Sequence, residues 1–140
     1  MVAELTSFDL DPLIMASRVQ EEIPRSRLVN EFVRYYIDFR SGATSNPGRF
    51  TLKEAPVTPD PSDSNNCVRF ESLVEDRGEP QAEGEMWLTT WGRICLHPQN
   101  TRRALVAEYS ERRLKTYDAE EALKQEGETW LASLAFDSIP

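Results

Sequence analysis

The chain is short of the residues that carry most small-protein chemistry. Among its 140 residues stand one histidine, two cysteines and six glycines. No glycine-rich phosphate loop, H-E-x-x-H, C-x-x-C, EF-hand loop or G-x-S-x-G elbow occurs. Their absence does not exclude enzymes whose sites assemble from dispersed residues. Two cysteines, Cys67 and Cys95, do not make a disulfide framework. The opening Met-Val-Ala-Glu-Leu-Thr-Ser has neither the basic nor the apolar region of a secretion signal. A cytoplasmic location is therefore expected, with both cysteines as free thiols buried beside Val68, Ile94 and Leu96. No apolar run approaches the roughly 20 residues a membrane-spanning helix needs.

What is present is ordinary in amount and uneven in sign. The chain is 39% hydrophobic and 29% charged, which excludes a wholly disordered polymer. Sixteen Lys and Arg against 24 Asp and Glu leave a net charge of −8 and a pI near 4.7. This balance opposes attraction to phosphate backbones and anionic lipid, and favours partners with basic surfaces. The length fits one domain, residues 1–140, with a core of its own.

Residues 1–42 read as two helices. Asp11 and Pro12 have N-cap and N1 chemistry, and Leu13, Ile14 and Val19 give a partly apolar face before Pro24. From Arg25 the pattern sharpens: Leu28, Phe32, Tyr35, Tyr36 and Phe39 recur every three or four positions, and Gly42 is placed to end the helix. The arc is wide, so it calls for a sheet or several helices against it. Residues 43–98 read as strand-rich. A short strand over 49–55 carries Phe50 and Leu52 on one face. Pro56, Pro59 and Pro61 with the polar run to Asn66 predict an exposed, mobile acidic loop near 56–66. A second strand follows over 67–75, and a second acidic loop over 76–84.

Residues 85–98 are the most apolar stretch and carry large groups on both strand faces. They read as a central strand covered on both sides, with Gly92 allowing a bulge or close approach. Residues 99–140 read as mainly helical. Asp118 and Glu121 resemble a capping box, and Leu123, Trp130, Leu131 and Leu134 form a stripe weakened by Gly127. Over 103–113 the pattern fits helix and strand, and helix is favoured. The fold class expected is α+β: two N-terminal helices, a three- or four-stranded mostly antiparallel sheet, and a C-terminal helical segment packed on one face.

Candidate sites are weighed against plainer roles. Cys95 and His97 project from the same strand face, where a thiol and an imidazole could activate each other. Yet same-face neighbours lie about 7 Å apart, and Pro98 ends the strand, so a buried cysteine and a strand-end histidine is favoured. The spacing of Cys67, Cys95 and His97 matches no zinc pattern, and neither metal nor cofactor is expected. Trp87 and Trp91 share a face; they belong to the core or, with Tyr35 and Tyr36, to a protein contact. Glu75, Asp76, Glu79, Glu83 and Glu85 supply an acidic surface for a basic partner. Arg102, Arg103, Arg112, Arg113 and Lys115 are the only basic cluster, so nucleic-acid binding there ranks last.

The leading reading is a non-enzymatic protein-binding module (adaptor, chaperone or inhibitor) that forms a homo-oligomer. The alternative is a small enzyme or ligand-binding domain with a pocket near Trp91, Cys95 and His97.

Overall fold

An apolar strand with bulk on both faces needs cover on both faces, and the central strand obtains it. The computed structural model describes residues 2–9, 25–63, 66–78, 85–97, 103–116 and 121–134. Their elements are β1 (Val2–Asp9), α1 (Arg25–Ser41), β2 (Phe50–Glu54), β3 (Val57–Pro59), β4 (Cys67–Asp76), β5 (Met86–Leu96), β6 (Arg103–Leu114) and α2 (Glu121–Ser133). The strands form one antiparallel sheet in the order β1-β6-β5-β4-β2, five across, with the short β3 also pairing β4.

Helix α1 lies on one face. Leu28, Val29, Phe32, Val33, Tyr36 and Ile37 are buried against Val68, Phe70, Ile94, Leu96, Ala104 and Val106. Complete burial of a side chain the size of Phe32 contributes about 2–3 kcal/mol. The helix stops at Gly42, whose φ of +73° is the left-handed conformation that L side chains resist. The Ser41 hydroxyl donates to the Asp38 carbonyl at 2.8 Å, satisfying one of the last orphan acceptors.

Helix α2 lies on the opposite face, over β5 and β6. There Trp91, Ala107, Tyr109 and Leu131 form a second, smaller core. Gly127 lets the helix sit against Tyr109, because a Cβ at that position would run into the phenol ring. The residue that weakens the helix in isolation is the one that allows it to dock.

Several expectations are corrected. Among the described residues only one helix, α1, stands in the N-terminal part; residues 2–9 form a strand, paired antiparallel with β6 from Val2–Ser110 to Asp9–Arg103. The helix expected from Asp11 to Val19 falls outside the described residues, as does the Asp118 cap. Residues 103–114 are strand, not helix, because β5 has both edges to satisfy and β6 pairs with it along its whole length. The sheet is therefore wider than three or four strands. The segment 56–66 contains β3 and a buried acid, Asp60, and is not simply an exposed loop.

The close approach expected at Gly92 is present. Phe70, opposite it in register, lays its ring across the space a side chain would fill, and the Ala107 carbonyl stands 3.1 Å from the same point. Gly92→Ala is expected to lower unfolding stability by about 1–3 kcal/mol through overpacking. Denaturant titration measures this, and Phe70→Leu in the same chain should restore part of the loss. A Gly92→Ala chain as stable as the parent would show that Phe70 is not seated there.

Candidate functional site

Cys67 and Cys95 face each other in register at one end of the β4–β5 pair. The Cys67 amide donates to the Asp63 carbonyl at 2.9 Å, and its carbonyl accepts from the Asp60 amide at 3.1 Å. Its backbone groups thus point away from β5, leaving the close, non-hydrogen-bonded type of antiparallel pair. The Cα atoms are 4.1 Å apart and the two sulfurs are joined in a disulfide. The expected free thiols are therefore corrected: with register bringing the sulfurs together, both cysteines are oxidised and no free cysteine remains. Cys95 has no thiolate to offer as a nucleophile. His97 stands half-buried just past the strand, its amide donating to the Arg103 carbonyl at 2.8 Å.

Beside the disulfide lies a charged knot that sequence reading missed. Asp60 is 1% exposed. Its carboxylate meets Arg69 Nε at 3.0 Å and Arg93 Nε at 2.8 Å, and accepts the Ser62 amide at 2.8 Å. Burial pushes the Asp60 carboxyl up, but the Ser62 hydroxyl and amide, Arg93 and Arg69 together outweigh it and hold the group below its ordinary value. Arg93, itself buried, also donates to the Leu134 carbonyl at 3.0 Å and lies 3.7 Å from Cys67 Sγ. It ties the sheet, the disulfide and the end of α2 together. The Asx-turn sequence Asp60-Pro61-Ser62 was the available signal.

The tryptophans part company. Trp91 is buried and stacks on Tyr109 with ring centroids 5.0 Å apart and planes 17° from parallel. Tyr109 donates its hydroxyl proton to the Lys124 carbonyl and Glu128 Oε1, each at 3.1 Å. Burial, reinforced by the Glu128 charge, pushes the Tyr109 phenol well above its ordinary range. Trp87 is half-buried, with Lys115 Nζ 4.5 Å from its ring centre. Tyr36 packs on Phe70 beneath α1, so it and Trp91 lie on opposite faces and line no common pocket. Tyr35 is exposed.

The acidic candidates are mostly engaged with basic side chains of the chain itself. Asp76 is buried, corrected from its expected place in a solvated loop: it ends β4, where the Arg49 and Arg112 guanidiniums reach it at 2.8 and 3.1 Å. Hydrogen bonding from Arg49 outweighs burial and, with the Gly78 amide and Arg112, holds its carboxyl below the usual range. Glu75 accepts from Lys115 at 2.6 Å and Arg77 at 3.0 Å, and exposed Glu85 accepts from Lys115 at 2.8 Å. The Lys115 contact holds Glu75 below its ordinary value; Glu75 and then Glu85 hold Lys115 above its own. Glu79 and Glu83 lie outside the described residues.

The basic candidates form no stripe. Arg103 and Arg112 stand toward opposite ends of β6, about 30 Å apart at strand rise. Arg113 turns to the other face, 3.5 Å from Glu111. Arg102 lies outside the described residues.

Among the features of the described residues that are open to a partner or ligand, two are candidates for function. One is a cleft of about 320 Å³ between β3, β4 and α2, with Trp91 at its floor and Arg69, Glu71, Lys124 and Glu128 around it. The other is an aromatic ridge on α1, where Tyr35 and Phe39 stack at 6.3 Å, 7° from parallel, and are 42% and 63% exposed. Among the described residues no three His, Cys, Asp or Glu side chains converge as metal ligands, and no helix is long and apolar enough to cross a membrane. No protein-family model, no curated protein and no solved structure matches the chain.

Two outcomes follow from this geometry. The unfolded, unreduced chain should titrate no thiol, and Cys67→Ser with Cys95→Ser should cost about 3–4 kcal/mol, the loop-closure value for residues 28 apart. Two reactive thiols in the unreduced chain would remove the bond. Folded Asp60 and Asp76 bind protons less readily than in the unfolded chain, where the value is near 3.8. Their contribution to stability is thus complete above about pH 5 and lost as pH falls through and below that value. A thermal melt series should show this acid limb, flatter in Asp60→Asn; an unchanged limb would count against the Asp60 pairing.

Proposed function

We propose that the chain is a non-enzymatic protein-binding module, of adaptor, chaperone or inhibitor type, whose first partner is a second copy of itself. The α1 ridge carries this reading. Tyr35 and Phe39 are the large apolar side chains left exposed among the described residues. Burying such aromatics is the usual source of binding energy at a contact. The ridge is also self-complementary. Arg34 and Asp38, both exposed, flank it four residues apart. In an antiparallel pairing of two α1 helices about a two-fold axis, Arg34 of each copy faces Asp38 of the other, and Tyr35 meets Phe39.

The net charge of −8 supports a further partner with a basic surface. The acids first nominated for it give less support, since Glu75 and Asp76 are occupied by Lys115, Arg77, Arg49 and Arg112. Catalysis by Cys95 is not proposed, because its sulfur is bonded. The disulfide favours an oxidising compartment over the cytoplasm expected from the sequence.

Sedimentation equilibrium tests the self-association. The 16.0 kDa chain should approach twice that mass at about 0.1 mM, a concentration suited to micromolar contacts. Phe39→Asp should return it to a monomer with its stability changed by no more than about 0.5 kcal/mol, as for surface substitutions. A parent chain that stays monomeric throughout would refute the pairing.

A further inference from the structure

The sheet face beneath α2 is incompletely covered. The helix packs on β5 and β6 and reaches β4 through Glu128, so Arg69, Glu71 and Leu73 are left half-buried. Between that face and Pro56 and Thr58 lies the cleft of about 320 Å³, at the lower end of the roughly 300–1,000 Å³ of ligand cavities.

Its charged lining divides into engaged and idle groups. Arg69 is held by Asp60 at 3.0 Å and Glu128 at 3.1 Å, and Glu128 also accepts the Tyr109 hydroxyl proton. Glu71 and Lys124 are different. Both are half-buried, and neither charged side-chain group has a hydrogen-bond or ion-pair partner among the described residues. They do not bridge each other, although both line the cleft. The Lys124 ammonium instead stands 6.0 Å from the centre of the Trp91 ring.

The carboxylate and the ammonium thus line one cleft with no charged partner for either among the described residues. A purely anionic ligand would gain Lys124 but meet Glu71 and Glu128. A purely cationic one would gain Glu71 but meet Lys124 and Arg69. A molecule bearing both charges satisfies both idle groups. We infer that this cleft binds a small zwitterion of the α-amino-acid class, with its ammonium on Glu71, its carboxylate on Lys124 and its side chain against Trp91 and Pro56. The site lies under α2, on the face of the sheet opposite α1, and does not depend on the α1 ridge.

The test is a titration of the full chain with neutral free amino acids, followed by NMR of the Trp91 indole and the Lys124 amide. At least one amino acid should shift both signals saturably below about 10 mM, within the range of weak metabolite sites. Its N-acetyl and C-amide derivatives, each lacking one charge, should bind about tenfold more weakly or worse. Glu71→Gln should weaken the free amino acid by a similar factor and abolish the penalty for acetylation, with the fold intact by circular dichroism. No saturable shift with any of them, or equal binding of the acetylated form, would overturn the assignment. Because Glu71→Gln leaves the α1 ridge untouched, the mass measurements and this titration fail independently.

Discussion

The register between β4 and β5 is the constraint on which the other contacts depend. In the observed alignment Phe70 falls opposite Gly92, Val68 opposite Ile94 and Cys67 opposite Cys95. A slip by one residue would send Phe70 and Val68 out from under α1 and separate the two sulfurs. It would also carry Arg69 from the face on which it meets Asp60. The apolar core, the covalent cross-link and the buried ion pair therefore select the same alignment, although they act through different physics. Agreement of this kind is what distinguishes one native pairing from its near neighbours.

A few charges of this protein are buried, and they are paired. The composition is strongly acidic, yet the buried Asp60 and Asp76 sit within arginine cages at opposite ends of β4. Withdrawing such ions from water is costly, and their mutual attraction offsets that cost only with close geometry and satisfied lone pairs. Asp60 meets the condition with two arginines and a serine. Pairs nearer the surface, such as Lys115 with the exposed Glu85, contribute less. The cages account for placement of chain segments: Asp60 docks the β3 edge, and Arg93 docks the end of α2.

The parts of the fold legible in the sequence are those decided locally. The three-and-four spacing from Leu28 to Phe39 marked α1, Gly42 marked its end, and bulk on both faces marked β5 as central. The shared face of Trp87 and Trp91 was also correct, but their differing burial depends on where α2 reaches. What escaped was decided at long range. Residues 103–114 alternate weakly enough to suit a helix, and only the open edge of β5 makes them a strand. The prolines and polar residues of 56–66 describe a loop well, but they do not reveal two arginines from β4 and β5 converging on Asp60. The disulfide was missed because the expectation rested on compartment, whereas strand register brings the sulfurs together. The cleft was unreadable for the same reason: Glu71 and Lys124 lie on a strand and a helix that only the tertiary fold brings side by side.

The place of β1 sets an order of events during synthesis. Its partner is β6, with Val2 opposite Ser110, so β1 leaves the ribosome well before β4, β5 and β6 and waits for all three before its hydrogen bonds can close. Meanwhile β4, β5 and β6 can assemble as a meander of sequential neighbours. Loop-closure entropy makes the distant pairing late and slow, and until it forms β6 presents an open edge to other nascent chains. The interval between translation of β6 and capture of β1 is thus the stage at which this protein most needs protection from aggregation.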